Sequence, residues 1–184
     1  MVSMVKLRTK KVISVLLLLL LIGIAGKRYM DKQKTEKEYQ QGIELIQSYV
    51  TDYLVKNYKG IEKIEWQGIG VEYRNSPILG PSLFGNYVDT DVKVYVSEGN
   101  NLTMIYRLND ETEYNDDANK YIRLDSLNSK WIDDLLQTEL ENTVGGGKKG
   151  DKMTQLEAEA LKKAPIGSPN AKLVYNLKVH ELTY

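Results

Sequence analysis

The chain has 184 residues, enough for one domain of ordinary size plus an appended segment, with 25 basic and 25 acidic residues, one histidine, no cysteine and 13 tyrosines. The absence of cysteine excludes a disulfide framework, a thiol nucleophile, a cysteine zinc site and a lipid-modified cysteine. Six of the basic residues, Lys6, Arg8, Lys10, Lys11, Lys27 and Arg28, precede the first acidic one, Asp31, so the remainder carries 19 basic against 25 acidic residues, a net of about −6, which disfavours nucleic acid as a partner.

Residues 1–11 carry only positive charge and read as a cytoplasmic segment under the positive-inside rule. They lead into Val12–Gly26, fifteen uncharged residues with six consecutive leucines, fenced by Lys10 and Lys11 before and by Lys27 and Arg28 after. As a helix this run spans roughly 22 Å against a hydrocarbon core of about 30 Å, so the flanking charges must snorkel to complete the crossing. The expectation is an uncleaved transmembrane signal anchor that places the rest outside the cell; Gly23-Ile-Ala25 offers a small-x-small cleavage site as the alternative.

From Asp31 to about Tyr58 the pattern is helical. Residues 27–38 form a charged stalk in which Lys32 with Glu36, and Lys34 with Glu38, are spaced for ion pairing. The amphipathic part begins near Tyr39 and continues through Ile43, Ile46, Val50, Tyr53, Leu54 and Asn57, with Gly60 as its stop. Residues 39–184 are thus expected to form one extracytoplasmic α+β domain, a long amphipathic helix packed on an antiparallel sheet, with a second helix and a C-terminal strand.

Ile64 and Trp66 share one strand parity while Ile69, Val71 and Tyr73 take the other, and a bulge at Gly68 reconciles them. Asn75–Ser82 has too many breakers for regular structure. Val88, Thr90, Val92, Val94 and Val96 then alternate with Asp89, Asp91, Lys93 and Tyr95 as a half-buried strand, and residues 97–101 turn into a returning strand through Leu102, Met104, Tyr106 and Leu108. An acidic loop, a short strand near residues 121–125 and a helix over 127–142 follow. Gly145–Gly150 is a flexible break; it fails as a phosphate loop because Asp151 and Lys152 stand where lysine and a hydroxyl residue are needed. A short helix capped by Asp151, with Met153, Leu156, Ala160 and Leu161 on its apolar side, precedes a last strand through Leu173, Tyr175, Leu177 and Val179.

Two surfaces are candidates for recognition. The polar face of the central hairpin offers Tyr87, Asp89, Asp91, Lys93, Tyr95 and Arg107. The acidic loop offers Asp110, Glu111, Glu113, Asp116 and Asp117, five carboxylates that suit a cationic partner or a calcium ion, although the spacing lacks the central glycine and terminal glutamate of an EF-hand. His180 alternates with the apolar set of the last strand and reads as a surface residue. No catalytic residue and no cofactor is expected.

The basic start and apolar run, the charged helix, the stretch Tyr53-Leu-Val-Lys-Asn-Tyr-Lys-Gly-Ile-Glu-Lys-Ile-Glu-Trp66 and the strand entry Gly85-Asn-Tyr-Val88 resemble a family of small membrane-anchored exported proteins of Gram-positive Firmicutes that carry a domain of unknown function. The likeness covers roughly residues 1–100 and does not extend past about residue 126. It implies no enzyme activity and no cofactor, and exported single-span proteins of this size include immunity factors against secreted toxins. The expected function is a membrane-tethered, extracytoplasmic module that binds a basic protein, with an immunity-type role against a toxin as its narrowest form. A wall- or glycan-binding surface protein is the first alternative and a carboxylate-dependent hydrolase the second.

Overall fold

A computed structural model describes residues 2–76, 80–81, 85–146 and 150–182, with side chains from residue 18 onward other than 75–84. The chain divides into two units, residues 1–37 and 38–184. Helix α1 (Val2–Asn57) supplies all of the described part of the first unit. Within that unit Lys32 pairs with Glu36 at 3.8 Å, and Leu18–Ile22 and Ile24 are 45–63 % exposed. Among the described residues no helix is long and apolar enough to cross a membrane. Of the expected span, Leu18–Gly26 is described with side chains and is too short to cross; the side chains of residues 12–17, with those of Lys10 and Lys11, lie outside the described set.

In the second unit α1 buries one stripe, Ile43, Ile46, Val50 and Leu54, at the three- and four-residue steps that line a helix face. Gln47 and Thr51 are buried on the same side and both find partners: the Gln47 amide donates to the Asn176 carbonyl at 2.8 Å, and the Trp66 indole donates to the Thr51 hydroxyl at 3.0 Å. After α1 come β1 (Tyr58–Lys59), β2 (Lys63–Trp66), β3 (Ile69–Glu72), β4 (Asn75–Ser76), β5 (Gly80–Pro81), β6 (Tyr87–Ser97) and β7 (Asn100–Arg107). They are followed by α2 (Leu108–Glu111), β8 (Thr112–Asn115), β9 (Lys120–Arg123), α3 (Ser129–Val144), α4 (Gln155–Ala160), β10 (Lys162–Lys163), β11 (Lys172–Val174) and β12 (Val179–Glu181).

The main sheet is built on β6. Antiparallel β7 lies along one side of it, and β2 and β3 lie end to end along the other, with Ile64 opposite Val94, Trp66 opposite Val92 and Val71 opposite Val88. The expected bulge is present. At Gly68 φ is +108°, its carbonyl accepts from the Thr90 hydroxyl at 2.7 Å, and the Gln67 amide reaches the Asp91 carbonyl at 2.9 Å. One extra residue there turns Ile64, Trp66, Ile69 and Val71 all to the buried face despite their opposite parities. That face meets α1 and α3, whose Ile132, Leu136 and Leu140 join the same core.

Several expectations are corrected. The sheet is mixed: β11 and β12 run parallel to β2 and β3, as a strand returning through an intervening crossover can. The last strand is also broken in two, because residues 175–178 arch over the bulge, where the Lys178 carbonyl takes the Ile69 amide at 3.0 Å. Leu173 and Tyr175 are therefore 42 % and 51 % exposed. Thr154, with Glu157 in a capping box, caps α4, and Leu156 is exposed. Asp151 instead accepts from the Thr103 amide at 2.9 Å and the Thr103 hydroxyl at 2.7 Å, covering the free edge of β7. The acidic loop is a helical turn and a hairpin, α2 followed by β8 and β9. In the breaker segment β4 and β5 pair with each other, and residues 77–79 and 82 lie outside the described set. Of the glycine-rich break, Gly145 and Gly146 close the end of α3, and residues 147–149 lie outside the described set.

Asp133 ties four elements together. One carboxylate oxygen accepts from Tyr58 at 2.6 Å and Tyr53 at 2.8 Å, and the other meets Lys163, so α1, β1, α3 and β10 share one anchor. Burial acts to raise this carboxyl, but the hydrogen bonds from Lys163, Tyr58 and Tyr53 hold it below its ordinary range.

A Cβ on Gly68 would lie 2.8 Å from the Lys178 carbonyl oxygen, whereas one on Gly99, also at positive φ (+81°), would meet nothing. Gly68→Ala is therefore expected to lower stability by ~1–3 kcal/mol and by more than Gly99→Ala, as read by urea denaturation of the full chain. Equal losses in the two variants would show that the bulge is not crowded by residues 176–178.

Candidate interaction surface

The alternation of β6 separates its side chains cleanly. Val88, Thr90, Val92 and Val94 point into the core, while Tyr87, Asp89, Asp91, Lys93 and Tyr95 lie half-buried on the opposite face. Register then sets the neighbours, since residues directly opposite on adjacent strands share a face. Arg107 on β7, Asp89 on β6, Gly70 on β3 and His180 on β12 form one row across four strands.

Gly70 is the gap in this row. A Cβ there would sit 2.4 Å from Asp89 Oδ1 and 2.7 Å from Leu182 Cδ2, so the Asp89 carboxylate lies over bare backbone beside an apolar side chain. Burial pushes the Asp89 carboxyl above its ordinary value, against the opposing pull of the Tyr87 hydroxyl, His180 and Arg107.

Next to this row Arg107 Nε donates to the Tyr87 hydroxyl at 3.2 Å. The guanidinium groups of Arg107 and Arg74 lie 5.5 and 5.6 Å from the centre of the Tyr87 ring, within cation–π range. Arg74 is held by a two-pronged contact to Glu72 at 3.2 and 3.1 Å, and Arg107 approaches Asp110 at 3.7 Å. At the other end of the face Lys63 pairs with Glu65 at 2.6 Å and stands 3.8 Å from the centre of the Tyr95 ring, with Lys93 opposite Glu65 in register. The Lys63 ammonium holds the Glu65 carboxyl below its usual range. Acidic and basic groups alternate here, so the negative balance of the residues after Arg28 does not reside on this face.

The five acidic candidates are not gathered. Asp110 and Glu111 end α2, whereas Glu113, Asp116 and Asp117 are exposed on the β8–β9 hairpin and its turn. Asp110 alone touches the sheet face, through Arg107. Glu111 is 3 % exposed and accepts from the Trp131 indole at 2.8 Å. Among the described residues no group of three acidic or histidine side chains is placed to hold a metal ion. Lys27 and Arg28 are exposed in the first unit.

Glu72, Arg74, Gly70 and His180 are members of the sheet face that alternation along β6 does not reveal, because they arrive from β3, the segment after it, and β12. A glycine between Ile69 and Val71 in a strand was a readable sign of close approach at Gly70. Comparisons with family models, with curated proteins and with solved structures find no match to this chain.

Because the folded state holds the Asp89 proton more tightly than the unfolded chain does, the folded wild type takes up protons at a higher pH. Its stability relative to Asp89→Asn is therefore expected to rise as the pH is lowered from 7 towards the ordinary aspartate range. Paired urea titrations at several pH values measure the difference, and a fall on acidification would contradict the placement of Asp89.

Proposed function

We propose that this chain is a single-pass membrane protein whose residues 38–184 lie outside the cell and bind another protein, with no catalysis of their own. The observation that carries the binding reading is the Arg74–Tyr87–Arg107 cluster on the outer sheet face, with both guanidinium groups within 5.6 Å of the Tyr87 ring centre. Tyrosine and arginine supply large rigid contacts and forked donors, and they dominate the energetic centres of protein interfaces. Tyr95 under Lys63 extends the same chemistry along the face.

The anchor reading is supported by the Val12–Gly26 run with Lys10, Lys11, Lys27 and Arg28 at its ends, and by the outward exposure of Leu18–Ile22 and Ile24. The positive-inside rule supports an internal N-terminus. The net charge of about −6 beyond Arg28 supports a basic partner through long-range attraction to the domain as a whole, the sheet face itself being charge-balanced. Kinship with exported Firmicute proteins, and within that an immunity-type role against a secreted toxin, is the narrower form of the proposal.

Topology is tested by protease treatment of intact cells carrying tags at both ends. The C-terminal tag is expected to be lost and the N-terminal one protected, with the protein in the membrane fraction; a soluble product or the reverse pattern contradicts the anchor. Binding is tested by retention of secreted and surface proteins on the full chain held in detergent micelles. A specific partner is expected, with retention at least tenfold weaker for Tyr87→Ala and for Arg107→Ala, since loss of a central contact costs more than about 1.4 kcal/mol. Undiminished retention by both variants would remove the sheet face from the interface.

A further inference from the structure

Helices α3 and α4 wall a groove of about 500 Å³, and none of its lining residues belongs to the outer sheet face. Its floor is apolar. Leu140 and Leu161 are 8 % and 3 % exposed, Ala158 is half-buried, and Val144 at the end of α3 is 37 % exposed, so the hydrophobic core continues here into an opening that solvent reaches.

The two rims are alike. On α3 the Gln137 amide donates to Glu141 Oε1 at 2.7 Å, and on α4 the Gln155 amide donates to Glu159 Oε1 at 3.3 Å. Each glutamine thus steadies a carboxylate one helical turn on, at the edge of the groove. Both glutamates are exposed, and neither pairs with a cation among the described residues. No lysine or arginine lines the groove, so its only charges are negative. The short α4 is fixed before any ligand arrives: Thr154 and Glu157 form its capping box, and Glu157 Oε1 accepts from the Ser97 hydroxyl and the Asn100 amide, both at 2.7 Å. A groove already formed loses less freedom on binding.

We infer that this groove receives a basic amphipathic helix of a protein partner, with apolar side chains on the floor and lysine or arginine side chains reaching Glu141 and Glu159. The inference rests on the reading that residues 38–184 bind a basic protein, and it gives that partner a second surface beyond the charge-balanced sheet face. The walls are helices and offer no strand edge, so the occupant must bind through its side chains. A helix supplies the pattern, because residues three and four apart share one stripe while cations beside that stripe meet the rims. Apolar contact provides the affinity, and the two carboxylates select the sign of the partner's charge.

The test uses the 15N-labelled full chain in neutral detergent micelles, with the amide signals of Val144 and Ala158 as readout and those of Val92 and Val94 as control. The probes are a peptide made of two repeats of Leu-Lys-Lys-Leu-Ala-Lys-Lys, a twin with glutamate for every lysine, and a twin with proline for both alanines. Uptake by the micelles is measured without protein and subtracted. Val144 and Ala158 are expected to move saturably with the basic helical peptide alone, and less as salt is raised. The double variant Glu141→Lys/Glu159→Lys is expected to weaken that peptide roughly tenfold or more and to turn the preference to the glutamate twin. Val144→Asp, also at an exposed position, is expected to weaken it by a similar factor and serves if the first variant does not fold. No movement, equal movement with the three peptides, or unchanged affinity in the folded variants would overturn the inference. So would movement of Val144 on raising the protein concentration without peptide, which would make a second copy the occupant. A protein partner lost with Tyr87→Ala but kept by the double variant, with Val144 unmoved by the peptides, would sink the groove and leave the sheet face standing. Peptide binding in the groove, with protein retention lost in the double variant and unchanged in Tyr87→Ala and Arg107→Ala, would do the opposite.

Discussion

The second unit depends on the bulge at Gly68. Ile64 and Trp66 sit at even positions, and Ile69 and Val71 at odd ones, yet all four are buried on one side of the sheet. Without an inserted residue Ile69 and Val71 would face water, forfeiting about 1.5–3 kcal/mol each. A glycine within a strand costs only about 0.5–1 kcal/mol. The balance therefore favours the bulge clearly. The same phase change sends Gly70 and Glu72 to the outer face, so the polar row through Asp89 and the core beneath it have one origin.

The bulge also governs how the chain ends. A strand paired with both β2 and β3 must cross the irregularity between them, and residues 175–178 do so by leaving the ladder. The Lys178 carbonyl takes the Ile69 amide, and the Asn176 side chain accepts from the Lys178 amide at 2.9 Å. The Asn176 carbonyl in turn takes the Gln47 amide group, joining the C-terminal segment to α1. Asp133 makes a comparable junction at the other end of the core, where two tyrosines and a lysine converge on one carboxylate. Both junctions join segments far apart in the chain, up to 129 residues in the case of Gln47 and Asn176.

That sequence separation marks the limit of what can be read without coordinates. The helix face of α1, the alternation of β6, the helical period of α3 and the parity change at Gly68 are local patterns, and each is legible in a window of a dozen residues. The break between β11 and β12, the role of Asp151 at the edge of β7 and the burial of Glu111 are not, because each is decided by a partner elsewhere. Glu111 sits among four other carboxylates in sequence, and charge alone makes it look solvated; the Trp131 indole, twenty residues on, draws it inside. For the outer sheet face, β6 disclosed Tyr87, Asp89 and Tyr95, whereas Arg74 and His180 reach it only through pairing and the fold.

A core on one side of β6 and a patterned polar face on the other is what lets a small domain present tyrosines and arginines at fixed spacing, and the bulge is what keeps the two sides in phase. Amide hydrogen exchange at Gln67 and Ile69 tests this most directly, since these amides donate to the Asp91 and Lys178 carbonyls only if the bulge and the arch above it form together. The account predicts that both exchange as slowly as the β6 amides of Val92 and Val94. Exchange of either at the rate of the exposed Gly99 amide would contradict it.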